Sequence, residues 1–207
     1  IFNFSKEKVV ITGAGRTDSG VHALAQVAHF DLKKKIKRKS LLPAINQNIG
    51  NKPVTVLKIT KTNKKFHARF DAKKRTYQYI IINRQSPLAL QKNKAWHIRK
   101  KLDLSIMKKG TKLLLGTHDF STFRASSCGA KSPIKTMEKI LVKKNKDKIT
   151  LQFSSRSFLQ QQVRSMVGCL QFLGVGKWNL DDFEKVFRSK KRTKCAPPAP
   201  ACGLYLK

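Results

Sequence analysis

Phe158–Leu173 reads FLQQQVRSMVGCLQFL, and its spacing decides what kind of fold the chain can make. Leu159, Val163, Met166, Val167, Leu170 and Leu173 recur at three- and four-residue steps. At about 100° per residue these six fall within roughly 120° of arc, the apolar stripe of an amphipathic helix. Arg164 lies roughly 120° from the middle of that stripe, on the flank, where its stem packs while its head reaches a site. Gly168, one turn later, leaves space beside it. Such a helix must cover another layer, and both flanks of the sequence supply candidates. Upstream, Thr136–Val142 and Ile149–Phe153 read as two strands of a hairpin-like pair across Lys143–Lys148. Downstream, Leu180–Arg188 reads as a second helix. Pro197, Pro198 and Pro200 then form a stiff linker into a last strand at Gly203–Leu206.

Farther out the pattern stays mixed. Thr76–Asn83 (TYQYIIIN) is rich in Tyr and Ile and is a strong strand signal. Lys8–Ala14, Gln26–Leu32 and Val54–Thr60 also read as strands. A helix is expected over Leu104–Leu115, ending near Gly116. A shorter one is expected from a Ser40 cap through Asn48, with Pro43 in its first turn. The order of strands and helices, with no internal repeat, points to an α+β fold: mainly antiparallel sheets covered by helices. A boundary at 84–100 divides it into an N-terminal half, 1–84, and a C-terminal half, 85–207.

The chain has 207 residues, of which 45 are Lys or Arg and 11 are Asp or Glu, for a formal charge of +34. A field of that size favours a polyanion, nucleic acid first and an anionic membrane surface second. A biased genome composition accounts for many lysines but not for so few acids. No apolar run reaches the roughly 20 residues of a membrane span, and no basic amphipathic helix supports a surface anchor. With 40% hydrophobic residues the chain is not a disordered polycation. Cys128, Cys169, Cys195 and Cys202 form no C-x-x-C pair and share no ligand spacing with the histidines, so free thiols are expected and no metal. The chain opens on Ile1 and reads as strand-forming within ten residues, so it is read as a fragment of a longer protein.

Chemistry concentrates at Gly15-Arg16-Thr17-Asp18-Ser19-Gly20-Val21-His22-Ala23. Glycines on both sides of Asp18 allow a tight turn and close approach of a ligand. Arg16 offers the acid a counter-charge, and Thr17 and Ser19 offer hydrogen bonds. A carboxylate held in such a turn can act as a nucleophile. The same residues also make ordinary turns, so local physics alone leaves both readings open. Gly13-x-Gly15 lacks the third glycine of a dinucleotide fingerprint and the Gly-Lys-Ser/Thr ending of a P-loop.

Gly15–Ala23 resembles the signature of the TruA family of tRNA pseudouridine synthases. Further blocks resemble that family in family order: Ala44-Ile45-Asn46-x-Asn48, Phe66-His67-Ala68-Arg69-Phe70, Arg75-Thr76-Tyr77-x-Tyr79, Gly116-x-His118-Asp119-Phe120-x-x-Phe123-Arg124, Val163-Arg164-x-Met166-Val167-Gly168 and Gly203-Leu204-Tyr205-Leu206. They span almost the whole chain. The resemblance implies that Asp18 is the nucleophile, that Tyr77 packs against the target base, and that Arg164 pairs with the aspartate. It also implies that Arg16, Thr17, His22 and Leu204 contact substrate, with Leu204 lining the uracil pocket. The implied reaction isomerises uridine to pseudouridine in the anticodon arm of tRNA, at positions 38 to 40, with no cofactor. The implied enzyme is a cytoplasmic homodimer whose two similar α+β halves form an extended sheet, with helices on one face and a basic cleft on the other. The strand, Gln-Arg segment and helix that precede the signature in the family are not in this chain. A truncated inactive synthase or a non-catalytic RNA-binding protein is therefore the alternative reading.

Overall fold

β-Branched and aromatic side chains at every second position make one long strand the axis of the larger part of the protein. The computed structural model describes residues 1–207. In chain order its elements are α1 (Phe2–Ser5), β1 (Thr12–Gly13), β2 (His22–Ala23), β3 (Ala28–His29), α2 (Arg38–Ile49), β4 (Arg75–Asn83), β5 (Trp96–Ile98), α3 (Leu104–Leu113), β6 (Gly116–Asp119), β7 (Ile134–Asn145), β8 (Lys148–Ser155), α4 (Gln162–Gly174), α5 (Leu180–Arg188) and β9 (Leu204–Leu206). They fall into two compact units. The smaller comprises 1–16 and 27–72; the larger comprises 17–26 and 73–207. The fold is α+β, as the sequence order predicts.

In the larger unit seven strands form one mainly antiparallel sheet, ordered β2-β9-β4-β8-β7-β6, with β5 parallel to the far end of β4. Strand β4 pairs with β8 from Arg75↔Ser155 to Ile82↔Lys148 and with β9 at Tyr77↔Leu206 and Tyr79↔Leu204. One face carries Tyr79, Ile81, Ile149, Leu151 and Phe153, all fully buried. They share a core with Met107, Met166, Leu170, Leu173 and Phe183 from α3, α4 and α5. Period-two burial on β8 and period-3.6 burial on α4 are the two halves of one apolar interface. Helix starts are capped where the sequence permits. Asp103 accepts the Ser105 and Ile106 amides, and Asn179 with Asp182 forms a capping box on α5. No helix is long and apolar enough to cross a membrane.

Helix α4 begins at Gln162, four residues after the start of the Phe158–Leu173 segment. Gln161 is left-handed at φ 60°, and the Gln162 side chain accepts the Leu159 amide at 2.8 Å. The preceding Gln160 is tied elsewhere: its carbonyl accepts the Ala125 amide and its own amide points to the Cys128 sulfur. Leu159 is nonetheless buried, so its place in the stripe reflects packing rather than helical backbone. Within α4, a Cβ added at Gly168 would lie 2.1 Å from the Pro197 carbonyl oxygen. Gly168→Ala is therefore expected to cost about 1–3 kcal/mol, as overpacking does where backbone must move. Thermal unfolding against wild type checks this.

The smaller unit holds α1, α2 and the short antiparallel pair β1–β3, with Thr12 opposite His29. Of the strands expected at Lys8–Ala14 and Gln26–Leu32, only these two-residue pieces pair; Val10 is 84% exposed. Val54–Thr60 forms no strand at all. The Asn46 side chain takes both backbone groups of Val56, at 2.9 and 2.8 Å, where a ladder would otherwise run. Helix α2 starts at Arg38 with Lys37 as its cap rather than Ser40, which places Pro43 inside the helix. Its buried face is Leu41 and Ile45. All four cysteines are free thiols.

Candidate active site

The turn that carries Asp18 is closed by a hydrogen bond from the Val21 amide to the Asp18 carbonyl, 3.1 Å. Gly20 has φ +78° at the third position of this turn, where a positive φ favours glycine. The chain leaves the turn directly into β2, which lies parallel to β9 with His22 opposite Tyr205 and Ala23 opposite Leu206. The Leu24 amide continues the attachment to the Leu206 carbonyl at 2.7 Å. Asp18 is thus held at the edge of the seven-stranded sheet.

Arg164 occupies the first turn of α4. Its Nη1 donates to Asp18 Oδ2 at 2.9 Å and its Nε to the Ala199 carbonyl at 2.8 Å. The Ala199 amide donates back to the Arg164 carbonyl at 3.0 Å. The two charged side chains are 15% and 30% exposed, arginine first. Charge-assisted bonds of this kind are short and directional, and they fix the rotation of the carboxylate as well as its position. One oxygen faces the arginine, which leaves the other for a ligand.

Tyr77 stands on β4 opposite Phe153 on one side and Leu206 on the other. Its ring meets Phe158 edge-on, with centroids 5.2 Å apart. Burial pushes its phenol above the usual tyrosine value, Arg75 opposes that and the Asp18 carboxylate adds to it. A raised value means that the neutral phenol persists past pH 10, so Tyr77 does not titrate near neutral pH. The alkaline limb of the pH–rate profile is accordingly expected at the same pH in wild type and Tyr77→Phe. For the base-packing role that the sequence resemblance implies, Tyr77→Ala, which removes the ring, is expected to lose about 10–100-fold in rate, the worth of one base stack. Both are read by steady-state kinetics.

The other sequence candidates are placed less uniformly. The His22 ring stacks on Tyr205, centroids 4.6 Å apart, and its Nε2 lies 3.0 Å from the Asn93 carbonyl. Leu204 is 6% exposed, in the core opposite Tyr79. Thr17 is exposed beside Asp18. Arg16 is also exposed and belongs to the smaller unit. The structure therefore brings Asp18, Arg164 and Tyr77 together in one unit. The carbonyl of Ala199 was not anticipated; its only sequence signal was the proline cluster around it. No group of three or more His, Cys, Asp or Glu side chains is arranged to hold a metal ion.

A sequence profile described as tRNA pseudouridine synthase matches residues 111–207. Along nearly its whole length the chain is similar to curated proteins called tRNA pseudouridine synthase A. That of Pelagibacter ubique is 60% identical over 204 residues, 98% of this chain and 83% of the relative. That of Maricaulis maris is 47% identical over 198 residues, 96% of this chain and 80% of the relative. The Xanthobacter autotrophicus protein is 47% identical over 203 residues, 98% and 83% respectively.

Proposed function

The chain belongs to the tRNA pseudouridine synthase family, and from that premise we propose that it isomerises uridine to pseudouridine in the anticodon arm of tRNA, with Asp18 as the nucleophile. The observation that carries the reading is the Arg164–Asp18 pair at 2.9 Å with Tyr77 beside it. The reaction breaks the bond between ribose C1′ and uracil N1, turns the base, and joins C1′ to C5. The C5 proton leaves and N1 gains one, so substrate and product are isomers and no electrons are exchanged.

Each residue has a role that its surroundings suit. The target base leaves the helical stack at a cost of a few kcal/mol. Stacking on the Tyr77 ring offsets part of that cost. The free oxygen of the Asp18 carboxylate is the attacking group, and Arg164 holds the carboxylate in the orientation of attack. The +34 charge supplies the attraction for the tRNA backbone. The exposed Thr17 and Arg16, which precede Asp18 in the sequence, are assigned to the neighbouring nucleotides. The enzyme is further proposed to work in the cytoplasm as a homodimer, with its basic cleft completed by pairing of subunits, and the halves 1–84 and 85–207 are kept as its domains.

Incubation with an unmodified tRNA transcript, followed by carbodiimide mapping, tests the proposal. Stops at anticodon-arm uridines are the expected result. Retained tRNA binding without conversion would replace it with the RNA-binding reading.

A further inference from the structure

We propose that Tyr79, fully buried in the central strand β4, is a positioning residue for the reaction: through the segment 197–203 it holds Arg164 against Asp18. The inference rests on the roles given to Asp18 and Arg164 above.

The segment Pro197–Gly203 lies between α5 and β9 in the chain and touches α4, Arg164 and the turn that carries Asp18. Its Pro197 carbonyl sits against Gly168 of α4, with no room for a side chain between them. Ala199 grips Arg164 at both ends, its amide on the arginine carbonyl and its carbonyl under the guanidinium Nε. Ala201 lies against the turn that carries Asp18; a Cβ at Gly20 would be 3.4 Å from the Ala201 Cβ. Between these contacts, the Pro200 carbonyl accepts the Tyr79 hydroxyl at 2.7 Å. The adjoining Gly203 backs directly onto the Tyr79 ring, where an added Cβ would lie 2.6–2.8 Å from three ring and hydroxyl atoms.

Tyr79 is itself closely packed. It is fully buried at the centre of β4, opposite Leu151 on β8 and Leu204 on β9. Burial holds its phenol far above the usual value, so the hydroxyl remains a donor throughout the working pH range. The central strand therefore fixes Pro200, and Pro200 fixes the neighbouring Ala199 carbonyl. That carbonyl takes the Nε of Arg164, which sets the direction of Nη1 toward Asp18. Without the hydroxyl, the arginine and the aspartate are still present but the rigid reference between them is lost. Small displacements of a reacting group cost rate steeply and affinity little.

Tyr79→Phe keeps the ring and removes only the donor. In full-length protein, with an unmodified tRNA transcript as substrate, kcat is expected to fall about tenfold while KM stays within about twofold. A second readout needs no turnover. The Nε–H resonance of Arg164 in protein labelled with 15N-arginine, assigned by its loss in Arg164→Lys, should exchange with solvent about tenfold faster in Tyr79→Phe. Pro200→Gly, which loosens the same segment while keeping its carbonyl, should shift both quantities in the same direction. Thr122→Val is the control. It removes a buried hydroxyl that bonds the Val186 and Phe187 carbonyls on α5, and it should lower the melting temperature without touching kcat or Arg164 exchange. Unchanged Arg164 exchange in Tyr79→Phe would overturn the inference, as would an equal kcat loss in Thr122→Val. An inactive wild type would instead refute the proposed function, and the exchange measurement would still decide the positioning claim.

Discussion

Asp18→Ala is expected to reduce pseudouridine formation by at least about 10⁴-fold, the loss seen when a nucleophile is removed from a preorganised site. The side chain sits in a turn closed by backbone hydrogen bonding and by Gly20, so its removal does not dismantle the turn. Arg164 keeps its bond to the Ala199 carbonyl. Its freed Nη1 gains access to substrate phosphate, so tRNA affinity should hold within about threefold or rise slightly. Asp18→Asn sharpens the test. The amide oxygen can still accept from Arg164, so geometry survives while the carboxylate proposed to attack does not. Both variants should be equally inactive. Because the C5 proton leaves during isomerisation, release of tritium from tRNA carrying 5-tritiated uridine measures turnover directly, and filter binding measures affinity. Activity above about one per cent of wild type in either variant would remove Asp18 from the role of nucleophile.

Arg164 carries the second large effect. Its guanidinium serves two acceptors at fixed angles, the Ala199 carbonyl through Nε and Asp18 Oδ2 through Nη1. A lysine offers one ammonium on a flexible stem and cannot reproduce that fork. Arg164→Lys is expected to lower kcat by about 10²-fold, the scale of a misplaced reacting group, with KM little changed. Arg164→Met is expected to lose about 10³-fold, since Asp18 then has neither partner nor orientation. Stability should fall less than activity, because Asp18 is 30% exposed and water can replace part of the lost bonding. Parallel kinetics and thermal unfolding separate the two. A kcat loss in Arg164→Lys of less than threefold would mean that any nearby positive charge suffices.

The sequence was most legible where a segment buries one face against a large partner. Leu180–Arg188 matches the helix α5 to the residue, because Asn179 and Asp182 mark its start and its apolar period is regular. The strand Thr76–Asn83 is found at Arg75–Asn83 for the same reason, with partners on both sides. Legibility failed in the smaller unit. Val54–Thr60 has the composition of a strand, yet Asn46 captures the backbone of Val56 and no ladder forms. Side-chain-to-backbone competition of this kind has no periodic signature. Gln161 likewise interrupts an apolar pattern that continues through it, because the preceding turn is bonded to residues 125–128 rather than to the helix.

The candidate site divides along the same line. The glycine-flanked Asp18, the strand position of Tyr77 and the flank position of Arg164 could all be read from the sequence, since each follows from local turn chemistry or from the period of one element. The pairing of Asp18 with Arg164 across 146 residues followed only from the family resemblance; no turn chemistry or period of a single element implies it. Periodicity specifies which face of an element is buried, but not what it is buried against. That choice was made by the order of the sheet, which sets β2 beside β9 and β9 beside β4, and by the 197–203 segment packed on α4. Only the tertiary structure shows why three prolines and Gly203 stand there. They hold the backbone carbonyls of Ala199 and Pro200, groups that every residue possesses and that only folding can aim.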